Sequence, residues 1–170
     1  MSADYFLKVD GIEGESTDSK HAKEIELRSF RWHEQQETSN SRGNGTGAGK
    51  VAMGTFEFVM ASNKASPKLL LACATGSHIK SAVLSCRKAG GGQQEFYKLT
   101  LTDIIVSSYT TASGEGLLRA EDEITADDIP SDRVCFAFAK IESEYRAQKQ
   151  DGSLDNPIKT GYDLSTNTAV

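Results

Sequence analysis

The chain has 170 residues, 38% of them apolar and 25% charged, with three prolines, three cysteines and a net charge of -5. That size fits one domain, residues 1–170, burying its core without staples, and the composition excludes an intrinsically disordered chain. The acidic balance excludes a broad nucleic-acid interface, which requires a basic face; the opening MSADYFLKVDGIEG reads as neither a cleaved leader nor a membrane span.

Most of the chain alternates with a period of two, the mark of half-buried strands. Tyr5 to Asp10 is the first, followed by a polar loop from Gly11 to Glu24. Within that loop Gly14-Glu15-Ser16-Thr17-Asp18 approaches a nucleophile elbow but ends in Asp where Gly is required. Ile25 to Gln35 is a second strand. Ile25 and Leu27 share one face while Phe30 and Trp32 have the opposite parity, which predicts a bulge near Arg28-Ser29.

SRGNGTGAGKV, Ser41 to Val51, holds four glycines and a lysine. Aligned as a phosphate-binding loop it has Asn44 at the first Gly and Val51 at the magnesium-binding hydroxyl. A dinucleotide fingerprint on Gly43, Gly45 and Ala48 is followed by VAMGTFEFVM, which alternates like a strand and supplies no helix N-terminus. The stretch reads as a flexible connector, and no cofactor is expected. In the strand after it, Ala52, Phe56, Phe58 and Met60 share a face.

SPKLLLACATG predicts one short helix, Ser66 to Gly76. Ser66 caps it, Pro67 takes the first helical position and Gly76 ends it in the left-handed conformation. Apolar on nearly every side, it should be covered on nearly every side.

Further strands run from His78 to Lys88 and through EFYKLTLTDIIVSSYTT, DRVCFAFAKIESEYRAQ and IKTGYDLSTNTAV. The turn signals between them are Gly90-Gly91-Gly92, Ser113 to Gly116 and Asp151-Gly152. In DIIVSSY and VCFAFAKI apolar residues occupy both parities, so either a second layer of the same chain or a neighbouring chain covers them. Ser113 to Asp132 carries a net charge of -6 and reads as a solvated acidic face. DGSLDN at Asp151 departs from a calcium loop at Ser153 and Asn156. Cys73, Cys86 and Cys135 lack CxxC spacing and read as buried reduced thiols, and His21, His33 and His78 lie too far apart to suggest a metal site.

Taken in order, FLKVDGIEGESTDSKHAKEIEL, a strand ending in Phe30-Arg31-Trp32, the glycine loop, KASPKLLLACATGSHIKSAVLSCRKAG, EFYKLTLTDIIVSSY and IKTGYDLSTNTAV resemble the Hcp family, the tube subunit of bacterial type VI secretion systems. The resemblance runs from about Tyr5 to the C-terminus. It implies a mostly-β fold, two antiparallel sheets forming a β-barrel with one short α-helix, and no enzymatic activity. It implies a homohexameric ring, and stacked rings forming a tube that a contractile sheath propels. Partners would be the sheath proteins, the spike protein VgrG at the tip and effector cargo in the lumen, with no nucleic acid and no membrane insertion. Localisation would be the bacterial cytoplasm, then secretion through the type VI system without a cleaved signal peptide. The chain looks like the plain structural form, without an added toxin domain.

A water-filled lumen calls for a polar wall, which makes Ser29, Arg31 and His33, opposite Phe30 and Trp32, the lumen-lining candidates. The ring-stacking candidates are Gly90, Gly91 and Gly92 on one rim and Asp151, Gly152 and Ser153 on the other. Charge from Asp18 to Lys23 and from Glu121 to Asp128 would add complementarity. Two rivals stay open on the residues themselves: a monomeric β-domain that binds a ligand or cation, and a secreted enzyme.

Overall fold

A computed structural model describes residues 3–39, 47–88, 93–113 and 129–170. Its elements in chain order are β1 (Ala3–Val9), β2 (Ile25–Leu27), β3 (Ser29–Arg31), β4 (Glu34–Ser39), β5 (Gly47–Met53), β6 (Phe56–Ala61), α1 (Ser66–Thr75), β7 (His78–Lys88), β8 (Glu95–Ala112), β9 (Ser131–Tyr145), β10 (Ile158–Asp163) and β11 (Thr168–Ala169). Mostly-β with one helix is therefore correct. All the strand pairs are antiparallel.

Nine strands form one sheet in the order β11-β10-β9-β8-β7-β1-β2, with β6 joined to both β9 and β3, and β4-β5 is a separate hairpin. β9 is long enough to serve two neighbours along one edge: its first half pairs with β6 (Phe136 opposite Phe56), its second with β10 (Ile141 opposite Tyr162). The two sheets do not close into a barrel by strand pairing. Where closure would fall, β2 pairs with β1 and β3 pairs with β6, and the chain changes partner at Arg28, whose N–H bonds Val59 O at 2.8 Å. The phase change expected at Arg28-Ser29 is present, but as a break between β2 and β3 with a change of partner rather than as a bulge within one strand, and it keeps Ile25 and Leu27 buried while Phe30 still packs on Phe56.

Three expected strands are subdivided. Ile25 to Gln35 breaks again at Trp32 and His33, and VAMGTFEFVM breaks at Gly54-Thr55, so exposed Ala52 does not share the buried face of Phe56, Phe58 and Met60. The C-terminal segment folds back on itself as β10 and β11. The glycine-rich stretch is not only a connector: its Gly47–Val51 portion is strand in β5, and its other residues lie outside those described.

The strands apolar on both parities have a local explanation. In β8 the buried set moves from Leu99 and Leu101 to Ile104 and Val106; in β9 it moves from Val134, Phe136 and Phe138 to Ile141. Both shifts occur at one level, between the pairs Thr102–Lys140 and Ile104–Phe138, where Asp103 adopts a φ of 53°. A one-residue phase change carries the apolar side chains back inward. These strands are therefore covered largely from within, leaving only Ile105 among their large aliphatic residues exposed.

Phe56, Phe58 and Phe136 are fully buried, Phe58 meeting Phe136 edge to face at 5.1 Å. α1 lays Leu69 and Ala72 onto this core. Its N-cap is Ala65, one residue before the expected Ser66, because Asn63 Oδ1 accepts the Ala65 N–H at 2.8 Å and the Ser66 hydroxyl is committed to Asp132. Gly76 ends the helix at φ 64°, its N–H bonding Ala72 O, as expected. Asp132 is not part of a solvated acidic face. Fully buried, it accepts hydrogen bonds from Ser62 Oγ at 2.8 Å and from the Ser66 and Thr111 hydroxyls, tying the start of β9 to β6, α1 and β8. Of the thiols, Cys86 is buried, and burial pushes it up to about 12; Cys73 and Cys135 are half-buried.

Candidate assembly surfaces

Antiparallel order gathers one set of turns at one end of the molecule. Tyr97 opposes both Cys86 and Tyr145, so the β7–β8 and β9–β10 connections emerge on the same side. Lys88 Nζ bonds Gln148 Oε1 at 2.9 Å, and the Arg146 N–H bonds Phe96 O at 2.8 Å. The assignment of the two turns to opposite rims is therefore corrected. Gly90, Gly91 and Gly92 lie outside the described residues, but their flanks sit at the same end as Asp151, Gly152 and Ser153. The latter three form a tight turn, Asp151 Oδ1 accepting from Ser153 N–H at 2.9 Å and Ser153 Oγ at 2.6 Å. Those bonds hold the Asp151 carboxyl below its usual range.

The Gly11 to Glu24 loop folds back to the same end. Its sides are zipped by Gly14 N–H to Lys23 O and Lys23 N–H to Ser16 O, both at 2.8 Å. Gly14 is required there, since a Cβ would lie 2.3 Å from Glu24 O. Asp18 Oδ1 accepts the Lys20 N–H at 2.9 Å and Oδ2 meets Arg87 Nη1 at 2.8 Å; both hold the carboxyl below its usual range. Arg87 is buried against the Phe6 ring and also reaches Asp4 at 3.0 Å. His21 stacks on Phe6 at 4.3 Å, its Nδ1 bonded to Glu24 at 2.9 Å. Lys20 and Lys88 make no ion pair with the described residues. At the other end, β8 and β9 are joined through the acidic segment, of which residues 114–128 lie outside those described.

Ser29 and Arg31 share one face of β3, opposite Phe30. Arg31 Nε bonds Glu57 at 3.0 Å and Arg133 reaches the same carboxylate at 3.2 Å, making a charged row across β3, β6 and β9. His33 is exposed but off the ladder, in the break before β4, its ring lying against Gly54. Trp32 packs on the core.

Among the described residues two apolar surfaces stand out. α1 is apolar on its outer side: Pro67, Leu70, Leu71 and Ala74 face away from Leu69 and Ala72, with Leu70 52% and Leu71 61% exposed. The expectation that the helix would be covered all round fails within one chain. The second is a groove of about 650 Å3 between the β4–β5 hairpin and β9–β11, walled by Trp32, Val51, Met53, Ile141 and Tyr162 with Glu34 and Lys50 at its edges. The helix face was visible in the sequence as leucines that fit no single stripe. The groove was not, because its residues come from four separated segments.

Residues 6–145 match the family model described as type VI secretion system effector, Hcp. The chain is 37% identical to protein hcp1 of Pseudomonas aeruginosa over 98% of both chains. Among solved structures it is similar to a type six secretion system protein (29% identity, TM-score 0.88, 99% of this chain and 100% of the other). It is also similar to Hcp1 from Salmonella typhimurium (32%, TM-score 0.75, the same coverage). The chain therefore belongs to the Hcp family, secreted structural proteins of the type VI secretion system rather than enzymes.

Proposed function

We propose that this chain is the tube subunit of its secretion system: copies close into a homohexameric ring, rings stack into a conduit, and a contractile sheath drives that conduit out with VgrG at its tip and effectors inside. The observation that carries this reading is the match to hcp1 over 98% of both chains. The unpaired outer face of α1 agrees with it, since a folded copy retains apolar surface that a neighbour can remove from water. A ring requires a heterologous contact whose rotation closes.

In this reading Ser29 and Arg31 line the lumen from the charged face of β3, with His33 at its margin. The end holding Asp151, Gly152 and Ser153, the flanks of Gly90, Gly91 and Gly92, and the cations Lys20 and Lys88 is one stacking rim. It meets the acidic segment of the next ring. The chain is made in the bacterial cytoplasm and leaves through the type VI system. No helix of the described residues is long and apolar enough to cross a membrane.

Light scattering after size exclusion tests the ring. The expected mass is about six times the 18.4 kDa chain, and a monomer at micromolar concentration refutes it. Electron microscopy of the same fractions should show annular particles.

A further inference from the structure

We propose that His21 is a proton-operated latch: proton uptake at its Nε2 ties the Gly11 to Glu24 loop to the start of β8 through Glu95. The device belongs to the single folded chain and does not depend on the assembly of copies.

The geometry defines where the proton goes. The imidazole is 3% exposed and lies flat on the Phe6 ring, centroids 4.3 Å apart and planes within 5° of parallel. Its Nδ1 is 2.9 Å from Glu24 Oε2. An ionised carboxylate only accepts, so Nδ1 carries the proton of the neutral ring. Nε2 is then a bare lone pair, buried, without a hydrogen-bond partner and 3.5 Å from Glu95 Oε1, another acceptor. Two acceptors facing each other away from water are costly. One proton at Nε2 converts that opposition into a charge-assisted N–H···O contact joining the loop to β8. Lys98 Nζ, 2.6 Å from Glu95 Oε2, favours a charged carboxylate there, so the proton goes to the ring.

The surroundings are one positive charge short. On the loop itself are Glu24, Asp18, whose Oδ1 accepts the His21 N–H at 3.3 Å, and Lys20 next in the chain. β1 alternates Asp4 and Lys8 onto the Phe6 side, and β2 sets Glu26 opposite Phe6. β7 supplies Arg87, 4.9 Å from the Phe6 ring, and β8 supplies Glu95 and Lys98. Five carboxylates thus face four cations, and an imidazolium makes the fifth. Imidazole changes its charge in the mildly acidic range. The latch is therefore shut at mildly acidic pH and opens as pH rises through that range; below about pH 4 the carboxylates are neutralised and it releases.

The test is amide hydrogen exchange on the full chain at about pH 5.5 and pH 7.5, corrected for intrinsic rates, beside an NMR titration of the imidazoles with exposed His33 and His78 as references. The Gly14 and Lys23 amides, which zip the loop, should be about tenfold better protected at the lower pH, with the Leu99 and Phe136 amides in the core unchanged. His21→Gln should abolish the difference. Glu95→Gln offers Nε2 an amide N–H without any added proton and should give high protection at both pH values, an outcome that a merely structural histidine does not produce. Equal protection of the wild-type loop at both pH values, or a tenfold difference that survives either His21→Gln or Glu95→Gln, would overturn the latch. Should His21→Gln not fold, as judged by circular dichroism, Glu95→Gln and the wild-type titration decide alone.

Discussion

The two halves of β9 belong to differently finished parts of the molecule. Along its first half Val134 and Phe136 are fully buried between β6, β8 and α1, with Phe56, Phe58 and Leu69 around them. Along its second half the neighbours are β10 and the stand-off hairpin β4–β5, Tyr162 is half-buried, and Tyr145 and Ile158 are exposed. One strand thus runs from a core complete in a single chain to a surface left uncovered. The first half is where stability resides; the second is where a change should be felt mainly in association.

Substitutions can break or sharpen that contrast. The largest effect expected is from Phe58→Ala or Phe136→Ala, each costing about 3–5 kcal/mol of unfolding free energy in denaturant titrations, as truncated buried aromatics do. Gly14→Ala should cost about 1–3 kcal/mol by forcing a methyl against the Glu24 carbonyl, read as a lower melting temperature. Gly76→Ala, at φ 64°, should cost about 1 kcal/mol without altering the core. Ile158→Ser, in the open half, should stay within about 0.5 kcal/mol; a loss as large as that of Phe136→Ala would erase the distinction between the halves.

The smallest effect is one of pH. Asp18 is held below its ordinary value of 3.8 by the Lys20 N–H and the Arg87 guanidinium. A lowered folded value contributes stability that is present above about pH 4 and is lost as pH falls through it. Asp18→Asn should therefore flatten the acid limb of a stability–pH curve below about pH 4 while changing its slope little near neutrality.

Local punctuation was legible wherever one residue has one physical use. Pro67 and Gly76 bracket the helix, His78 and Lys88 bound β7, and the parity break at Arg28-Ser29 marks the change of partner. Ser66 misled because its hydroxyl has a stronger claim from Asp132, 66 residues away in the chain. Ile104, Ile105 and Val106 looked two-sided because a phase change cannot be distinguished from two-sided burial without the partner strand. The common end of the β7–β8 and β9–β10 turns follows from counting antiparallel reversals, yet a turn's own residues say nothing of the end on which it falls. The groove depends on β4, β5, β9 and β10 converging, which no window of sequence contains.

β6 and the β9 segment that completes its hydrogen bonding are far apart in the chain, from 70 positions at Ala61 opposite Ser131 to 80 at Phe56 opposite Phe136. A nascent chain emerging from the ribosome has made β6 and α1 long before Ser131 to Tyr145 exist, so Phe58, Met60 and Leu69 must wait for their cover. During that interval the growing polypeptide is most exposed to misassembly with its siblings, and translation pace over the intervening codons becomes a determinant of yield.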